Sequence, residues 1–283
     1  MTAKVWQPLV DAMVEALENH EVTGKWVRPW IGGQHTNAAT LRPYRAMNSL
    51  ALAVACYKKP RQYSVWATYN QWKSLGMQVR KDVRGTALWT PPRSLNKTED
   101  NGDKTKVFIH AAVFYVFNAE DVDGFIPPEP LSEAQRLVDA EFFLHKKKPS
   151  VVFGDPTSAF YSPTQDFINM PPFGNFSSPT GYYSTLAHEL IHWTGHPSRI
   201  DRVLSNSDRA AYAFEELIAE FGAAMVCSHL DISSDVRGDH LPYLSSWLQS
   251  IKSEPDVVRK AVLKAAQAFN YMDSKTEEES AND

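Results

Sequence analysis

The chain has 283 residues, 43% of them hydrophobic and 22% charged, and carries a formal net charge of −4. This length predicts about two domains, and the composition is that of a globular protein rather than a fibrous or disordered one. No run of about 18 apolar residues occurs, which excludes a transmembrane helix, and the N-terminus lacks a signal-peptide pattern. The only cysteines, Cys56 and Cys227, are far apart, so we expect a reducing, cytoplasmic compartment and no membrane partner.

The charge is divided unevenly along the chain. Residues 1–125 contain 16 Lys and Arg but 11 Asp and Glu, whereas the remaining residues contain 13 and 22. Between Val22 and Lys97, 13 basic residues accompany a single acid, Asp82. A basic first part followed by an acidic second part predicts two parts with different partners.

The first part, residues 1–125, predicts a mixed α/β domain. Helices are expected over residues 5–20, 48–57 and 71–75, and strands over residues 78–86, 87–90 and 107–117. A charged hairpin loop over residues 91–106 joins the last two strands, and residues 63–69 fit either a strand or a short helix.

Aromatic residues alternate with cations in this basic part. Bases stack on aromatic rings while cations follow the phosphates, so the pattern favours binding of a single-stranded nucleic acid. The competing interpretation is that the aromatic residues form the core, and duplex recognition is disfavoured because helix-turn-helix and zinc-finger spacings are absent. The candidate stacking residues are Trp26, Trp30 and Tyr44, and the candidate phosphate contacts are Arg28, Arg42, Arg45, Arg80, Lys81 and Arg84.

Three prolines within residues 127–130 predict a stiff linker over 126–130. Beyond it, residues 131–272 predict a mostly helical domain with a small edge sheet. Its elements are helices over 131–144, 241–251 and 257–271 and a hairpin over 160–170, whose edge is able to bind an extended peptide by strand addition. The polar, acidic tail over 273–283 is expected to be disordered.

Residues 188–192 read His-Glu-Leu-Ile-His, an H-E-x-x-H pattern. Ser178, followed by proline, predicts the start of a helix around this pattern, and Gly195 predicts its end. Residues four apart share one face of a helix, so both imidazoles can bind one cation. Glu189 is then positioned to take a proton from water, which is the pattern of a zinc metallopeptidase. The competing interpretation is a histidine-rich surface helix.

A metallopeptidase needs a third ligand besides His188 and His192. A histidine six residues after the second one would complete a different peptidase pattern, but position 198 is serine. A later, alanine-rich helix offers Glu216 and Glu220, four residues apart beside an apolar face. We expect Glu216 to bind the metal and Glu220 to orient a ligand histidine through its other ring nitrogen. The competing interpretation is that both glutamates lie on a solvated acidic face of the helix. Zn²⁺ is the expected cofactor, with Mn²⁺ or another divalent ion as the alternative.

Nearly the whole chain resembles the plasmid anti-restriction proteins of the ArdC family, whose two halves recur in some plasmid DNA primases. Two positions depart from the family pattern, because Leu41 stands where glycine is usual and Asp82-Val83 replaces a Gly-Glu pair. The stretches that carry the resemblance are Asn37–Arg45, Gln78–Lys81, Arg84–Thr86, Val116–Asn118, Phe160–Pro163, Met170–Pro172, His188–Pro197 and Glu215–Glu220.

The resemblance implies an α+β protein in which an N-terminal mixed α/β domain that binds single-stranded DNA precedes a mostly helical, zincin-like metallopeptidase domain. It also implies a role in plasmid conjugation. Such a protein shields the incoming single strand from the host's restriction enzymes and can itself be carried into the recipient cell.

Two functions remain open at this point. In the first, the protein binds single-stranded DNA and hydrolyses a host restriction-system protein, with Glu189 as general base and Tyr182, Tyr183 or Tyr212 at the oxyanion. In the second, the zincin-like half is a non-proteolytic interaction module that occludes restriction enzymes. A nuclease is disfavoured because the sequence has no aspartate cluster for two metals.

Overall fold

The computed structural model describes residues 3–24, 28–29, 33–90, 93–98, 104–109, 112–127, 132–202, 209–232 and 243–275. In this part of the chain the helices are α1 (Ala3–Thr23), α2 (Met47–Lys58), α3 (Tyr69–Ser74), α4 (Glu133–His145), α5 (Pro179–Thr194), α6 (Arg209–Leu230), α7 (Leu244–Ser253) and α8 (Asp256–Asp273). The strands are β1 (Thr36–Asn37), β2 (Val65–Ala67), β3 (Gln78–Val79), β4 (Thr86–Thr90), β5 (Arg93–Thr98), β6 (Lys104–Ile109), β7 (Ala112–Asn118), β8 (Val122–Asp123), β9 (Val151–Val152), β10 (Phe160–Ser162) and β11 (Phe167–Asn169). Separate helices and small sheets confirm the predicted α+β class.

A four-stranded sheet with the order β1-β2-β7-β4 lies at the centre of the N-terminal half. β1 runs parallel to β2, whereas β7 is antiparallel to both of its neighbours. One hydrophobic cluster joins these strands through the buried side chains of Trp66, Leu88 and Val116. The segment that fitted either a strand or a short helix therefore contains the strand β2.

The charged segment over residues 91–106, predicted as a hairpin loop, instead contains paired strands. β5 pairs with β6 in antiparallel register, with Arg93 opposite Ile109 and Thr98 opposite Lys104. The loop prediction was wrong because a high density of charges lowers strand propensity without removing the backbone donors and acceptors that form the ladder.

In the C-terminal half, α6 packs against both α5 and α8. The predicted hairpin over residues 160–170 is confirmed as β10 and β11, and β9 extends the sheet to the order β10-β11-β9. The buried side chains of Ile168 and Met170 belong to the same hydrophobic core as Leu186 and Leu190 of α5. The small edge sheet therefore supports the helix that carries the H-E-x-x-H pattern.

One hydrophobic cluster contains residues of both halves, beside two smaller clusters that belong to the N-terminal half. α1 is amphipathic, as predicted, and its buried side chains Leu9, Met13 and Leu17 lie in a cluster with Trp247 and Ile251 of α7. Burial of each such Leu or Met side chain stabilises the fold by about 1.5–3 kcal/mol. Residues 128–130 of the predicted linker lie outside the described part, as do residues 276–283 of the predicted tail.

The two departures from the family pattern lie at unusual backbone angles. Leu41 has a φ of 56° and Asp82 a φ of 64°, both in the left-handed region that favours glycine. A side chain in this region costs roughly 1–2 kcal/mol. These loops therefore have a glycine-like conformation although neither position is glycine.

Candidate metal centre

Helix α5 presents the H-E-x-x-H residues in a fixed register. The hydroxyl of Ser178 accepts a hydrogen bond of 3.0 Å from the backbone N–H of Gly181, and proline follows at the first helical position. The helix ends at Thr194, directly before Gly195, as predicted. Its regular geometry places the imidazoles of His188 and His192 on one face.

Helix α6 approaches α5 closely at one glycine. A Cβ atom on Gly222 would lie only 2.7–2.9 Å from three side-chain carbons of Ile191, so the absence of a side chain permits this spacing. Close packing brings Glu216, six residues or about 1.7 turns before this glycine, next to the two histidines. A larger residue at position 222 would move the two helices apart.

The donor atoms of His188, His192 and Glu216 converge. The two Nε2 atoms are 3.1 Å apart, and each lies 3.5 Å from one carboxylate oxygen of Glu216. One donor atom from each residue lies within 4.8 Å of the other two. Two nitrogens bound to a tetrahedral zinc at about 2.0–2.1 Å stand about 3.3 Å apart, with a fourth position free. The residues therefore fit the donor types and spacing of a two-histidine, one-glutamate metal centre.

The charges around these donors favour a cation. Burial alone would raise the pKa of Glu216, but hydrogen bonds and charges from His188 and His192 outweigh burial and hold that pKa far below its usual value. Burial would likewise lower the pKa of His192, whereas Glu215 and Glu216 raise it to about 10. The carboxylates therefore stabilise positive charge at this site. That charge is carried either by protons on the histidines or by a divalent ion that replaces those protons.

Each candidate ligand histidine contacts a second carboxylate through its other ring nitrogen. Nδ1 of His188 lies 3.3 Å from Oε1 of Glu220, the residue expected to orient it. Nδ1 of His192 lies 3.1 Å from Oε1 of Glu215, whose role sequence reasoning missed. Such carboxylates fix the orientation of ligand imidazoles and raise their basicity.

Glu215 is itself held by a buried arginine. Arg202 donates two hydrogen bonds to its carboxylate, of 2.8 and 2.7 Å, and a third of 2.7 Å to the backbone carbonyl of Ile191. This bidentate pair compensates a carboxylate whose side chain is only 7% exposed. The signal for Glu215 in the sequence was its place beside Glu216, but nothing in the spacing identified Arg202.

The candidate general base and oxyanion residues occupy different surroundings. Glu189 is 3% exposed and follows His188 directly on α5. Among the three candidate tyrosines, Tyr212 has its pKa raised by burial and then by the charge of Glu216. The pKa of Tyr183 is raised by burial and by the charge of Glu141, which is outside the donor set. Tyr212 is therefore the candidate tyrosine on which a carboxylate of the donor set acts.

The candidate DNA contacts are distributed over both interior and surface. Trp26 and Trp30 lie outside the described residues. Arg28 is buried, and its guanidinium donates a hydrogen bond of 2.9 Å to Glu220, so it is not available as a surface phosphate contact. Tyr44 is half-buried, and its hydroxyl accepts a hydrogen bond from Asn37. The exposed cations of the predicted set are Arg42, Arg45, Arg80, Lys81 and Arg84.

Some of these exposed cations pair with acids or border a groove. Arg45 pairs with Asp273, and Arg80 lies 2.8 Å from Asp123. Arg80 and Lys81 also line an open groove of about 640 Å³ together with Tyr69, whose side chain is exposed. Tyr69, the first residue of α3, was not among the predicted contacts, because no cation adjoins it in the sequence.

Comparison with known proteins agrees with both halves of the fold. Residues 3–117 match the N-terminal domain of anti-restriction factor ArdC, and residues 138–268 match a zincin-like metallopeptidase domain. The metal-free crystal structure of the antirestriction protein ArdC from plasmid R388 is 31% identical, with a TM-score of 0.71 over 98% of both chains. The chain belongs to the ArdC family of anti-restriction proteins.

One further structure and three further proteins are similar to this chain. A Mn(II)-bound structure of ArdC from plasmid R388 matches with a TM-score of 0.70 over 95% of this chain and 96% of that chain. An uncharacterized protein of Sinorhizobium fredii, y4eC, is 34% identical over 87% of this chain and 83% of its own. Two Escherichia coli DNA primases named TraC are 32% and 33% identical, and the chain spans only 27% and 18% of their lengths. None of the described helices has the length and hydropathy needed to cross a membrane.

Proposed function

We propose that this ArdC-family protein protects plasmid DNA during conjugation by two activities, binding of single-stranded DNA and metal-dependent hydrolysis of a host restriction-system protein. The DNA-binding part lies in residues 1–125 and the metallopeptidase part in residues 131–272. The observation that carries the proposal is the convergence of His188, His192 and Glu216, with Glu189 buried on the same helix one residue after His188. A purely structural cluster would not require a further carboxylate next to the first histidine.

His188, His192 and Glu216 would hold the divalent ion, which is Zn²⁺ on the basis of the donor set; Mn²⁺ is the alternative, since a relative binds it. When bound, the ion supplies a Lewis acid that polarises the scissile carbonyl and acidifies water. Glu189 accepts the proton of the attacking water and delivers it to the leaving amine, which is the role of a general base and then of a general acid. The hydroxyl of Tyr212 donates a hydrogen bond to the developing oxyanion.

Strand addition provides a way to hold the peptide. In the described part, β10 lies at one edge of the sheet that supports α5, so its free backbone groups are able to pair with an extended substrate. The backbone of such a substrate would run beside the H-E-x-x-H helix, because α5 packs against β10. This mode fits an unfolded or extended segment of the target protein better than a compact surface.

The DNA-binding activity rests on the exposed cations Arg42, Arg45, Arg80, Lys81 and Arg84. Cations that border a groove follow the phosphates of a single strand, and an exposed ring provides a stacking surface for a base. Tyr69 has this position beside Arg80 and Lys81. We therefore add Tyr69 to the stacking candidates and remove Arg28 from the phosphate contacts.

The test of the peptidase half is cleavage of purified restriction-system proteins by the metal-loaded protein. The wild type should cleave at least one of them, and Glu189→Ala should not, while Glu133→Ala, which changes an exposed glutamate on α4, should cleave as the wild type does. If the wild type protects plasmid DNA but cleaves none of these proteins, the result would favour the alternative, a non-proteolytic module that occludes restriction enzymes.

A further inference from the structure

Each candidate ligand histidine lies next to a carboxylate that is paired with an arginine. The two arginines come from different parts of the chain. Arg202 and Glu215, which support His192, both belong to the C-terminal half. Glu220, which supports His188, pairs instead with Arg28, an arginine 192 residues earlier in the chain. The second pair therefore joins the N-terminal half to the metal centre.

The pair of Arg28 and Glu220 is almost completely shielded from solvent. Their side chains are 4% and 2% exposed, and Nη1 of Arg28 lies 2.9 Å from Oε2 of Glu220. Desolvation of a charged carboxylate costs several kcal/mol unless a partner compensates it. Arg28 is thus the cationic partner that compensates the burial of the Glu220 carboxylate.

The two oxygens of Glu220 have different partners. Oε2 accepts from Arg28, and Oε1 lies 3.3 Å from Nδ1 of His188, whose Nε2 belongs to the converging donor set. The guanidinium holds Glu220 at one oxygen, so the other oxygen faces the ring nitrogen of His188 that points away from the donor set. The chain of contacts runs from Arg28 through Glu220 and His188 to the metal position.

We propose that Arg28 is a positioning residue of the metal centre, through which the N-terminal half completes a site whose ligands all belong to the C-terminal half. This inference rests on the proposed metal site. It predicts that metal affinity depends on a residue outside the peptidase-like domain. Loss of such an outer partner typically weakens metal binding by about 10- to 100-fold.

The experiment is calorimetric titration of Mn²⁺, repeated with Zn²⁺, into metal-free full-length protein. Arg28→Met should weaken binding by about 10- to 100-fold, and Arg28→Lys, which keeps the charge but not the planar guanidinium, should weaken it less. The matched control is Arg61→Met, because the Arg61 side chain is only 9% exposed and is paired with a carboxylate, Asp121, that is not a candidate ligand. It should bind metal as the wild type does.

The outcomes separate positioning from folding. A change in metal affinity below about threefold in a folded Arg28→Met protein overturns the inference. An equal loss of metal affinity in Arg28→Met and Arg61→Met also overturns it, because it would indicate general destabilisation. If Arg28→Met does not fold, the same criterion applies to the pair Arg28→Lys and Arg61→Lys, with a loss above threefold in the first alone as support. If the wild type binds neither ion, the metal site itself is wrong and both proposals fall.

Discussion

The candidate metal centre and the basic surface, which comprises the exposed cations Arg42, Arg45, Arg80, Lys81 and Arg84, differ in how their charged side chains are arranged. At the metal centre, side chains with at most 12% exposure converge from two helices, so that three donor atoms lie within 4.8 Å of one another. On the basic surface, Arg42 lies in one exposed loop, and Lys81 and Arg84 lie in another. A converging, buried site depends on a few exact positions, whereas a nucleic-acid surface depends on the sum of many exchangeable cations. Substitutions should therefore act sharply at the first and gradually at the second.

The largest expected effect is loss of the metal. His188→Ala or His192→Ala removes one of three protein ligands, and elemental analysis after dialysis should find the ion absent. Glu216→Ala should behave in the same way, whereas Glu220→Ala should retain weakened binding. If Glu216→Ala kept full metal and Glu220→Ala lost it, the roles of the two glutamates would be exchanged.

A second prediction compares two buried histidines. Carboxylates raise the pKa of His192 to about 10, whereas burial lowers the pKa of His35 in the N-terminal half to about 4. The folded-state pKa of His35 lies below its unfolded value of 6.5, so its contribution to stability is complete above pH 6.5 and is lost as the pH falls toward 4. The loss should amount to about 3 kcal/mol at pH 4.

Denaturant unfolding of the metal-free protein at pH 7 and pH 4 measures this contribution. His35→Gln should lose about 3 kcal/mol less stability than the wild type over this interval, while His145→Gln, at a more exposed position on α4, should follow the wild type. An identical pH dependence in all three proteins would show that His35 is not a neutral, buried group.

A smaller effect is expected on the basic surface. Lys81→Ala and Arg84→Ala should each flatten the dependence of log affinity on log salt by roughly 0.7 for a single-stranded oligonucleotide. Lys264→Ala, which removes an exposed cation of the C-terminal half, is the control and should leave the slope unchanged. Equal flattening by all three substitutions would contradict a binding surface confined to residues 1–125.

The smallest effect concerns the two regions together. Glu189→Ala should leave the affinity for single-stranded DNA within about threefold of the wild type, a change below roughly 0.7 kcal/mol. The reason is that Glu189 is buried on α5, whereas the candidate DNA contacts that remain are exposed in the N-terminal half. A loss of tenfold or more would show that the two sites are coupled, which the shared core makes physically feasible.

Sequence reasoning succeeded where the determinants are local. The start and end of α5 and the shared face of His188 and His192 follow from capping residues and helical spacing. The amphipathic pattern of α1 likewise predicted a helix with a buried face. Each of these features is specified within a few turns of one element, so the chain's distant parts need not be known.

The features that were missed depend on contacts between distant residues. Arg28 fitted a cationic surface stretch by its neighbours, but its partner Glu220 lies 192 residues later, and no periodicity encodes that pairing. The role of Glu215 depends on Arg202, which lies beyond the end of α5. Likewise, the sequence predicted the apolar face of α1 but did not predict α7 as the helix against which that face packs.

The most direct test of the whole account is a restriction-protection assay during conjugation into a recipient with an active restriction system. The account predicts that wild-type protein protects the incoming plasmid and that Glu189→Ala loses this protection while it retains metal and DNA affinity. Full protection by Glu189→Ala would contradict the account, because DNA shielding or occlusion alone would then explain the function.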